Sequence, residues 1–272
     1  MESLTETLLE TSRQAALAAG ETLLDWRGKF QVREKAPADL VTDADLAAQQ
    51  ATQNLIASRH PTHGFLGEEG VDLSGEDSRF RWIVDPLDGT VNYAHGAPGY
   101  CVSVAVEFEG KLLAGAIYDP NLREMYSAAQ GQGAHLNGEP ISASGITEIS
   151  QAMVVASFAA GVTRESFEID NFVDILVAAQ SLRRTGSAAM NLAYVAAGRF
   201  DGYWANNNHA WDIAAGWLLV QEAGGVIRPM PGADLDLDQP RFIAASTPEL
   251  ADQLHTILAF PQGPAKTTTS EA

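Results

Sequence analysis

The chain contains the segment Asp85-Pro86-Leu87-Asp88-Gly89-Thr90, which directly follows the apolar run 80–84. This run predicts a strand, so the two carboxylates lie at its carboxyl end, where α/β proteins place their ligands. Carboxylates this close together cannot both be ionised in a partly buried site unless a cation lies between them. We therefore expect a ligand-binding site with a catalytic function at this strand end.

Two further acidic segments lie far from this strand in the sequence, Gly67-Glu68-Glu69 upstream and Trp211-Asp212-Ile213-Ala214-Ala215-Gly216 downstream. Together with residues 85–92 they resemble the inositol monophosphatase family of Mg²⁺-dependent, typically lithium-sensitive phosphatases. That family carries G-E-E, D-P-[ILV]-D-G-T-x-N and W-D-x-A-A-G patterns in the same order. Residues 39–42 before Asp45, and residues 186–189 before a predicted helix, support a resemblance that covers residues 5–260.

The resemblance implies a fold and an assembly. The fold would belong to the α/β class, as a layered αβαβα sandwich of the sugar-phosphatase type. An amino-terminal half, residues 1–145, would carry most metal ligands. A carboxyl-terminal α/β half would cover residues 146–260, with the site between the halves. A homodimer is also expected from the resemblance.

The length and composition place further bounds on the chain. Its 272 residues suffice for one large α/β domain or two closely packed halves. The single cysteine, Cys101, excludes an intramolecular disulfide and fits a reducing compartment. The first residues lack a signal-peptide pattern and no apolar run reaches bilayer length, so we expect a soluble cytoplasmic protein. Residues 261–272, rich in Pro, Thr and small residues, predict a disordered tail.

The formal net charge of −18 bears on the partners. It repels phosphate backbones and anionic membranes, so neither a nucleic acid polymer nor a membrane is expected as a partner. The same charge would repel a small phosphate monoester. Divalent cations at the site would resolve this conflict by reversing the local field.

Apolar periodicity and turn signals predict layers of helices and sheets. Ser3 with Glu6, and Thr42 with Asp45, form capping-box patterns at two helix starts. The predicted helices cover about residues 3–26, 42–59, 165–180, 187–197, 212–224 and 248–258. The predicted strands include residues 80–84, 101–108, 112–118, 153–157 and 200–204, with turns at 109–110 and 137–138.

Oxygen ligands without a His or Cys cluster select hard cations, so Mg²⁺ is expected, Mn²⁺ is a possible substitute and Zn²⁺ is disfavoured. Asp85 and Asp88 leave one strand end and can converge, whereas Glu68 and Asp212 come from separate elements. By the family resemblance, Glu68, Asp85 and the Leu87 carbonyl hold one ion. Asp85, Asp88 and Asp212 hold the second.

The resemblance also implies the reaction, which is direct attack of a metal-activated water on a phosphate monoester. Thr90 and Asp45 would orient the water, and Glu68 would help through a third ion. The spacing of Asp45 equally fits a helix cap, and spacing alone leaves both interpretations open. Free N–H groups at a helix start suit a phosphate. The substrate would contact Asp88, Gly89, Thr90, Gly186, Ala188 and Asp212.

The sequence leaves several substrates open. Inositol-selective relatives commonly carry a Glu seven residues before the aspartate of the W-D pattern, where this chain has Ala205. We expect inositol monophosphate or a related small polyol or sugar phosphate. The alternatives are fructose 1,6-bisphosphate, histidinol phosphate, NADP and 3′-phosphoadenosine phosphate. The side chains with open roles are Glu69, Arg183, Arg184, His209 and residues 206–208.

The alternative outside the enzymes is a catalytically degenerate protein, which binds metal but has lost its activity. Such a loss of activity usually involves the loss of a metal ligand. Here the expected ligands and the hydroxyl are all present, at Glu68, Asp85, Asp88, Thr90 and Asp212. This favours an enzyme.

Overall fold

The computed structural model describes residues 2–36, 39–158 and 161–259, and these form the five expected layers of an αβαβα sandwich. The first layer is a pair of helices, α1 (Glu2–Trp26) and α2 (Asp43–Arg59). The side chains of Leu8 and Leu23 in α1 are fully buried against the neighbouring sheet.

The second layer is an eight-stranded sheet, in the order β10-β9-β8-β7-β6-β5-β3-β4. Its strands are β3 (His63–Gly67), β4 (Val71–Leu73), β5 (Asp77–Asp88), β6 (Cys101–Phe108), β7 (Lys111–Asp119), β8 (Glu124–Ala129), β9 (Ala134–Leu136) and β10 (Glu139–Ile141). Strand β5 lies inside the sheet, third from one edge, and pairs parallel with β3 and antiparallel with β6. A short helix, α3 (Thr90–Ala94), follows β5 directly.

The third layer consists of α5 (Ala188–Ala196) and α6 (Ala210–Glu222), which lie on the other face of this sheet. Small residues allow the close approach. A Cβ built on Gly115 of β7 would lie 3.0 Å from the Ala215 Cα atom, and one on Gly216 would lie 2.4 Å from the Leu192 Cβ atom. Helix α6 therefore reaches the sheet closely enough to bring its first turn to the end of β5.

The fourth layer is a five-stranded sheet in the order β12-β11-β13-β15-β14. Its strands are β11 (Met153–Ala156), β12 (Ser181–Arg183), β13 (Gly202–Ala205), β14 (Val226–Pro229) and β15 (Phe242–Ala245). The fifth layer, α4 (Phe167–Ala178) and α7 (Pro248–Ile257), covers its outer face through a separate apolar cluster. The proposed division at residue 145 falls between the two sheets, and it stays a prediction.

The structure confirms the predicted helices and strands, with one correction at the site. Helix α6 begins at Ala210 with His209 as its N-cap, so the expectation that Asp212 opens the helix is wrong. Asp212 occupies the third helical position instead. The short β1 (Val32–Ala36) and β2 (Asp39–Thr42), which pair with each other, were not predicted.

Two further expectations concern the chain as a whole. The predicted tail, residues 261–272, lies outside the described residues. None of the helices in the described ranges combines the length and the apolar character of a bilayer-spanning segment.

Candidate active site

One cleft of about 200 Å³ lies at the end of β5, beside the starts of α5 and α6. The described residues that line it are Glu68, Asp85, Leu87, Asp88, Gly89, Thr90, Ala156, Ser157, Phe158, Arg184, Gly186, Ala188, Asn208 and Asp212. Every residue of the expected metal and substrate sets is in this lining. Of the expected catalytic residues, Glu68 and Thr90 line the cleft, and Asp45 is hydrogen-bonded to Thr90.

The end of β5 is irregular, and the irregularity presents its polar groups. The ladder with β6 shifts register between Asp85 and Asp88, where Pro86 has no N–H to donate. The Leu87 N–H donates to Asp85 Oδ1 at 2.9 Å, while the Leu87 carbonyl oxygen accepts from the Thr90 hydroxyl at 3.0 Å. The local backbone therefore orients one carboxylate and one carbonyl toward the same cleft.

Gly89 is required by the turn into α3. Its φ of 94° lies in the left-handed region, and a Cβ there would lie 2.9 Å from the Gly99 carbonyl oxygen. Any other residue would push the start of α3 away from the segment Gly99–Tyr100. Since Thr90 is the first residue of α3, this glycine determines where the Thr90 hydroxyl lies.

Asp45 makes both contacts that the sequence left open. Its Oδ2 accepts the Thr42 N–H at 2.9 Å, which completes the capping box of α2. Its Oδ1 lies 3.2 Å from the Thr90 hydroxyl. Burial raises the pKa of Asp45 to about 6, against the effect of the Thr42 hydrogen bonds. The residue is thus a helix cap and a partner of Thr90 at once.

Asp88 is bound to the start of α5. Its Oδ2 accepts from the Ser187 hydroxyl and from the Ala189 N–H, each at 2.6 Å. Burial raises the pKa of Asp88, and these hydrogen bonds oppose the rise. The Ala189 amide of this helix terminus is therefore engaged by Asp88.

Asp212 enters the cleft from the first turn of α6. Its Oδ2 accepts from the His209 N–H at 2.8 Å and from the Asn208 side-chain amide at 3.3 Å. Burial of the carboxylate, followed by the charge of Asp88, raises the pKa of Asp212 to about 8. Upstream of it, the Trp211 carbonyl oxygen accepts from the Ser103 hydroxyl of β6 at 3.1 Å, which ties α6 to the sheet.

The four acidic side chains of the cleft oppose one another. Burial raises the pKa of Asp85 well above its ordinary value, and the charges of Glu68, Asp88 and Asp212 raise it further. Protonation of a carboxylate or binding of a cation relieves such repulsion. The cleft therefore has the electrostatics of a cation site.

The chemistry of the donors tests whether Mg²⁺ fits. The lining supplies carboxylate oxygens and one backbone carbonyl, and in its described part it contains no His or Cys, which is the donor set of a hard cation. Among the described residues, no three acidic, His or Cys side chains already enclose a point where an ion would lie. The residues fit Mg²⁺ by type, and the carboxylates would close around it as their repulsion is neutralised.

The structure separates the two arginines that the sequence left open. Arg184 lines the cleft, and its guanidinium lies 5.5 Å from the centre of the Phe158 ring. Arg183 donates to the Ser181 hydroxyl and to the Leu182 carbonyl oxygen. Within the described lining Arg184 is the only cationic side chain.

The structure also shows the contacts of His209 and Glu69, whose roles the sequence left open. His209 is the N-cap of α6 and stacks on Trp211. The Glu69 N–H donates to Gln49 Oε1 at 3.0 Å, and the charge of Glu69 raises the pKa of Asp45. Sequence analysis did not select Ser157 and Phe158, whose position just after a strand was the available signal.

Comparisons with known proteins identify the family of the chain. Residues 4–261 match the model of the inositol monophosphatase family. The chain is 39% identical over 243 residues to an inositol-1-monophosphatase of Mesorhizobium japonicum, covering 88% of this chain and 91% of that protein.

Solved structures are similar along most of the chain. The crystal structure of the extragenic suppressor protein suhB from Bartonella henselae has a TM-score of 0.89 and 36% identity, and the match covers 93% of this chain and 98% of that one. A second, an IMPase/NADP phosphatase complexed with Mg²⁺ and phosphate, has a TM-score of 0.78 and 26% identity, covering 88% and 90%.

The layered fold, the acidic cleft and the sequence matches together identify the protein as a phosphoric monoester hydrolase. The chain belongs to the inositol monophosphatase family.

Proposed function

We propose that this phosphatase is Mg²⁺-dependent and hydrolyses inositol monophosphate or a related small polyol or sugar phosphate. The observation that carries the proposal is the convergence of four acidic side chains, Glu68, Asp85, Asp88 and Asp212, on one cleft. Burial raises the pKa of the three aspartates, and neighbouring carboxylates raise it further at Asp85 and Asp212. Support comes from the similar structure that holds Mg²⁺ and phosphate.

The ligands follow the family pattern. Glu68, Asp85 and the Leu87 carbonyl would hold one ion, and Asp85, Asp88 and Asp212 the second. When bound, the ions would neutralise the carboxylates, lower the pKa of a water and stabilise the leaving oxygen. Mn²⁺ is a possible substitute, because it accepts the same oxygen donors.

The protein's own groups would orient the water. The Thr90 hydroxyl lies within hydrogen-bond distance of Asp45 Oδ1, so its proton can point to that carboxylate while its lone pairs face the cleft. A water that donates to this oxygen would be held for attack, and Glu68, which lines the same cleft, would help through a third ion. Gly89, Gly186 and Ala188 would contact the substrate through their backbone.

A second substrate class has one observation in its favour. Arg184 lines an otherwise acidic cleft, and Ala205 replaces the glutamate common in inositol-selective relatives. A guanidinium at this position suits a phosphate ester with a second anionic group, such as a sugar bisphosphate or a nucleotide phosphate. Specificity then depends on which group of the ester lies beside Arg184.

Phosphate release across a panel of inositol, sugar, histidinol and nucleotide phosphates, with Mg²⁺ or with a chelator, tests both substrate classes. If Arg184 selects a second anion, Arg184→Ala should lower kcat/KM for doubly anionic esters about tenfold more than for inositol monophosphate. The matched control is Arg183→Ala, which should change neither. Metal binding without turnover on any ester would instead favour the degenerate metal-binding protein.

The assembly and the cellular location are further parts of the proposal. We infer a homodimer and a cytoplasmic location from family resemblance and from the sequence features above. Sedimentation that shows a monomer at micromolar concentration would remove the dimer without affecting the active site.

A further inference from the structure

Three groups approach the same oxygen of the Asp88 carboxylate. The Ser187 hydroxyl and the Ala189 N–H lie 2.6 Å from Oδ2, and the Cys101 sulfur lies 3.9 Å from it. Ser187 and Cys101 are almost completely buried. Water therefore cannot replace these contacts.

The Ser187 hydroxyl has its proton committed to Asp88. Its oxygen accepts the Met190 N–H at 3.2 Å, as the N-cap of α5. Because that amide is already the donor, the single hydroxyl proton is left for Asp88 Oδ2. One side chain thus links the start of a helix to a carboxylate of the cleft.

The loop that carries Ser187 is itself anchored across the cleft. The Asn92 side-chain amide of α3 donates to the Thr185 carbonyl oxygen at 3.0 Å and to the Gly99 carbonyl oxygen at 2.7 Å. Gly186 has a φ of 94°, and a Cβ there would lie 3.0 Å from Asn92 Nδ2. This close packing leaves the loop little room to move relative to β5.

We propose that Ser187 is a positioning residue, which holds Oδ2 of Asp88 at the start of α5 so that the other carboxylate oxygen is presented to a cation in the cleft. The inference rests on the proposed Mg²⁺ dependence. It predicts that the Ser187 hydroxyl affects the affinity for Mg²⁺ even when no substrate is present, since outer hydrogen bonds orient metal ligands.

The test is the Mg²⁺ concentration that gives half of the maximal rise in Tm, measured without substrate. Ser187→Ala should raise this concentration about tenfold or more. Ser187→Thr keeps the hydroxyl and an N-cap residue and should stay close to wild type.

Thr247→Ala is the matched control. Thr247 caps α7 by accepting the Leu250 N–H at 3.2 Å and donates to the Ile146 carbonyl oxygen at 2.9 Å. Like Ser187, it accepts a helix N–H and donates to an oxygen outside its own helix, but neither of these two partners lines the cleft. This variant should lower Tm in the absence of metal as Ser187→Ala does, and should leave the Mg²⁺ midpoint unchanged.

The outcomes distinguish the inference from the function on which it rests. An unchanged midpoint in Ser187→Ala, or equal shifts in Ser187→Ala and Thr247→Ala, would overturn the positioning role while leaving the metal site. A wild-type protein whose Tm does not respond to Mg²⁺ would overturn the proposed metal dependence, and the positioning role with it.

Discussion

The Thr90 hydroxyl has one proton and two acceptors, the Leu87 carbonyl oxygen at 3.0 Å and Asp45 Oδ1 at 3.2 Å. If it orients the attacking water, Thr90→Ala should lower kcat on the order of 10²-fold with much smaller changes in KM and in the Mg²⁺ requirement. Thr90→Ser should recover much of the rate. Equal losses in kcat and in metal affinity would mean that Thr90 serves the metal site instead.

The buried carboxylate of Asp45 should make the stability of the protein depend on pH. Burial raises its pKa from 3.8 to about 6, so the folded state binds the proton more tightly than the unfolded state does. Its contribution to stability is full below pH 3.8 and is lost as the pH rises through about 6. In chelator, Asp45→Asn should therefore gain stability over wild type between pH 4 and 6.5, reaching about 1–3 kcal/mol.

The same variant separates the two roles of Asp45. Asparagine can still accept the Thr42 N–H, so the helix cap is retained. At saturating Mg²⁺, kcat of Asp45→Asn should nevertheless fall by about 10²-fold or more. Near-normal kcat would leave only the capping role. A stability difference from wild type that does not change with pH would show that burial does not perturb this carboxylate.

At this scale the sequence predicts local contacts better than distant ones. The capping box of Thr42 and Asp45 could be predicted because it is local in the chain. The hydrogen bond between Asp45 and Thr90 joins residues 45 positions apart, so it depends on how α2 packs on the sheet. The roles of Ser157 and Phe158 in the lining depend on the second sheet in the same way.

Among the elements near the site, α6 packs closely on α5. A Cβ on Gly216 would lie 2.4 Å from the Leu192 Cβ atom of α5, so Gly216→Ala must separate the two helices. We expect a loss of about 1–3 kcal/mol in the free energy of unfolding. The Mg²⁺ requirement should also rise, because Asp212 lies on α6.

The double variant Gly216→Ala/Leu192→Ala is the control. Leu192→Ala alone leaves a cavity, and in the pair the new methyl group occupies part of that space. The pair should therefore lose less stability than the sum of the two single variants, as followed by denaturant unfolding. Strictly additive losses would contradict a direct clash between α5 and α6.

Local periodicity predicts the long elements and fails at the short ones. Helices α1, α2 and α7 have capping signals and apolar spacing, and they lie close to their expected bounds. The predicted start of α6 lies after the observed one, because His209 is an unusual N-cap. Asp212, in contrast, is an acidic residue of the kind that usually begins a helix. The four-residue strands β14 and β15 carry no periodic signal, and their pairing defines them.

At the scale of the whole molecule, charge and fold act together. The formal charge of −18 opposes an anionic substrate, and the acidic cleft adds to this opposition at close range. The order of the five layers followed from family resemblance, since periodicity alone does not specify which helix lies between two sheets. The division into residues 1–145 and 146–260 stays a prediction, because α5 and α6 pack on the amino-terminal sheet.

The central claim is that the acidic cleft is a metal site for phosphate ester hydrolysis. The most direct test is phosphate release by wild type, Asp85→Asn and Asp212→Asn across a Mg²⁺ titration, on the ester that wild type hydrolyses fastest. Asp72→Asn, at an exposed aspartate outside the cleft, is the matched control. Circular dichroism should show that all four proteins are folded.

We expect wild type and Asp72→Asn to release phosphate only with Mg²⁺. Asp85→Asn and Asp212→Asn should each lose most of this activity, because each of these two changes removes an anionic ligand from the same cluster. Full turnover by Asp85→Asn or Asp212→Asn at modest Mg²⁺, or equal turnover by wild type in chelator, would contradict the assignment of the cleft as a metal site.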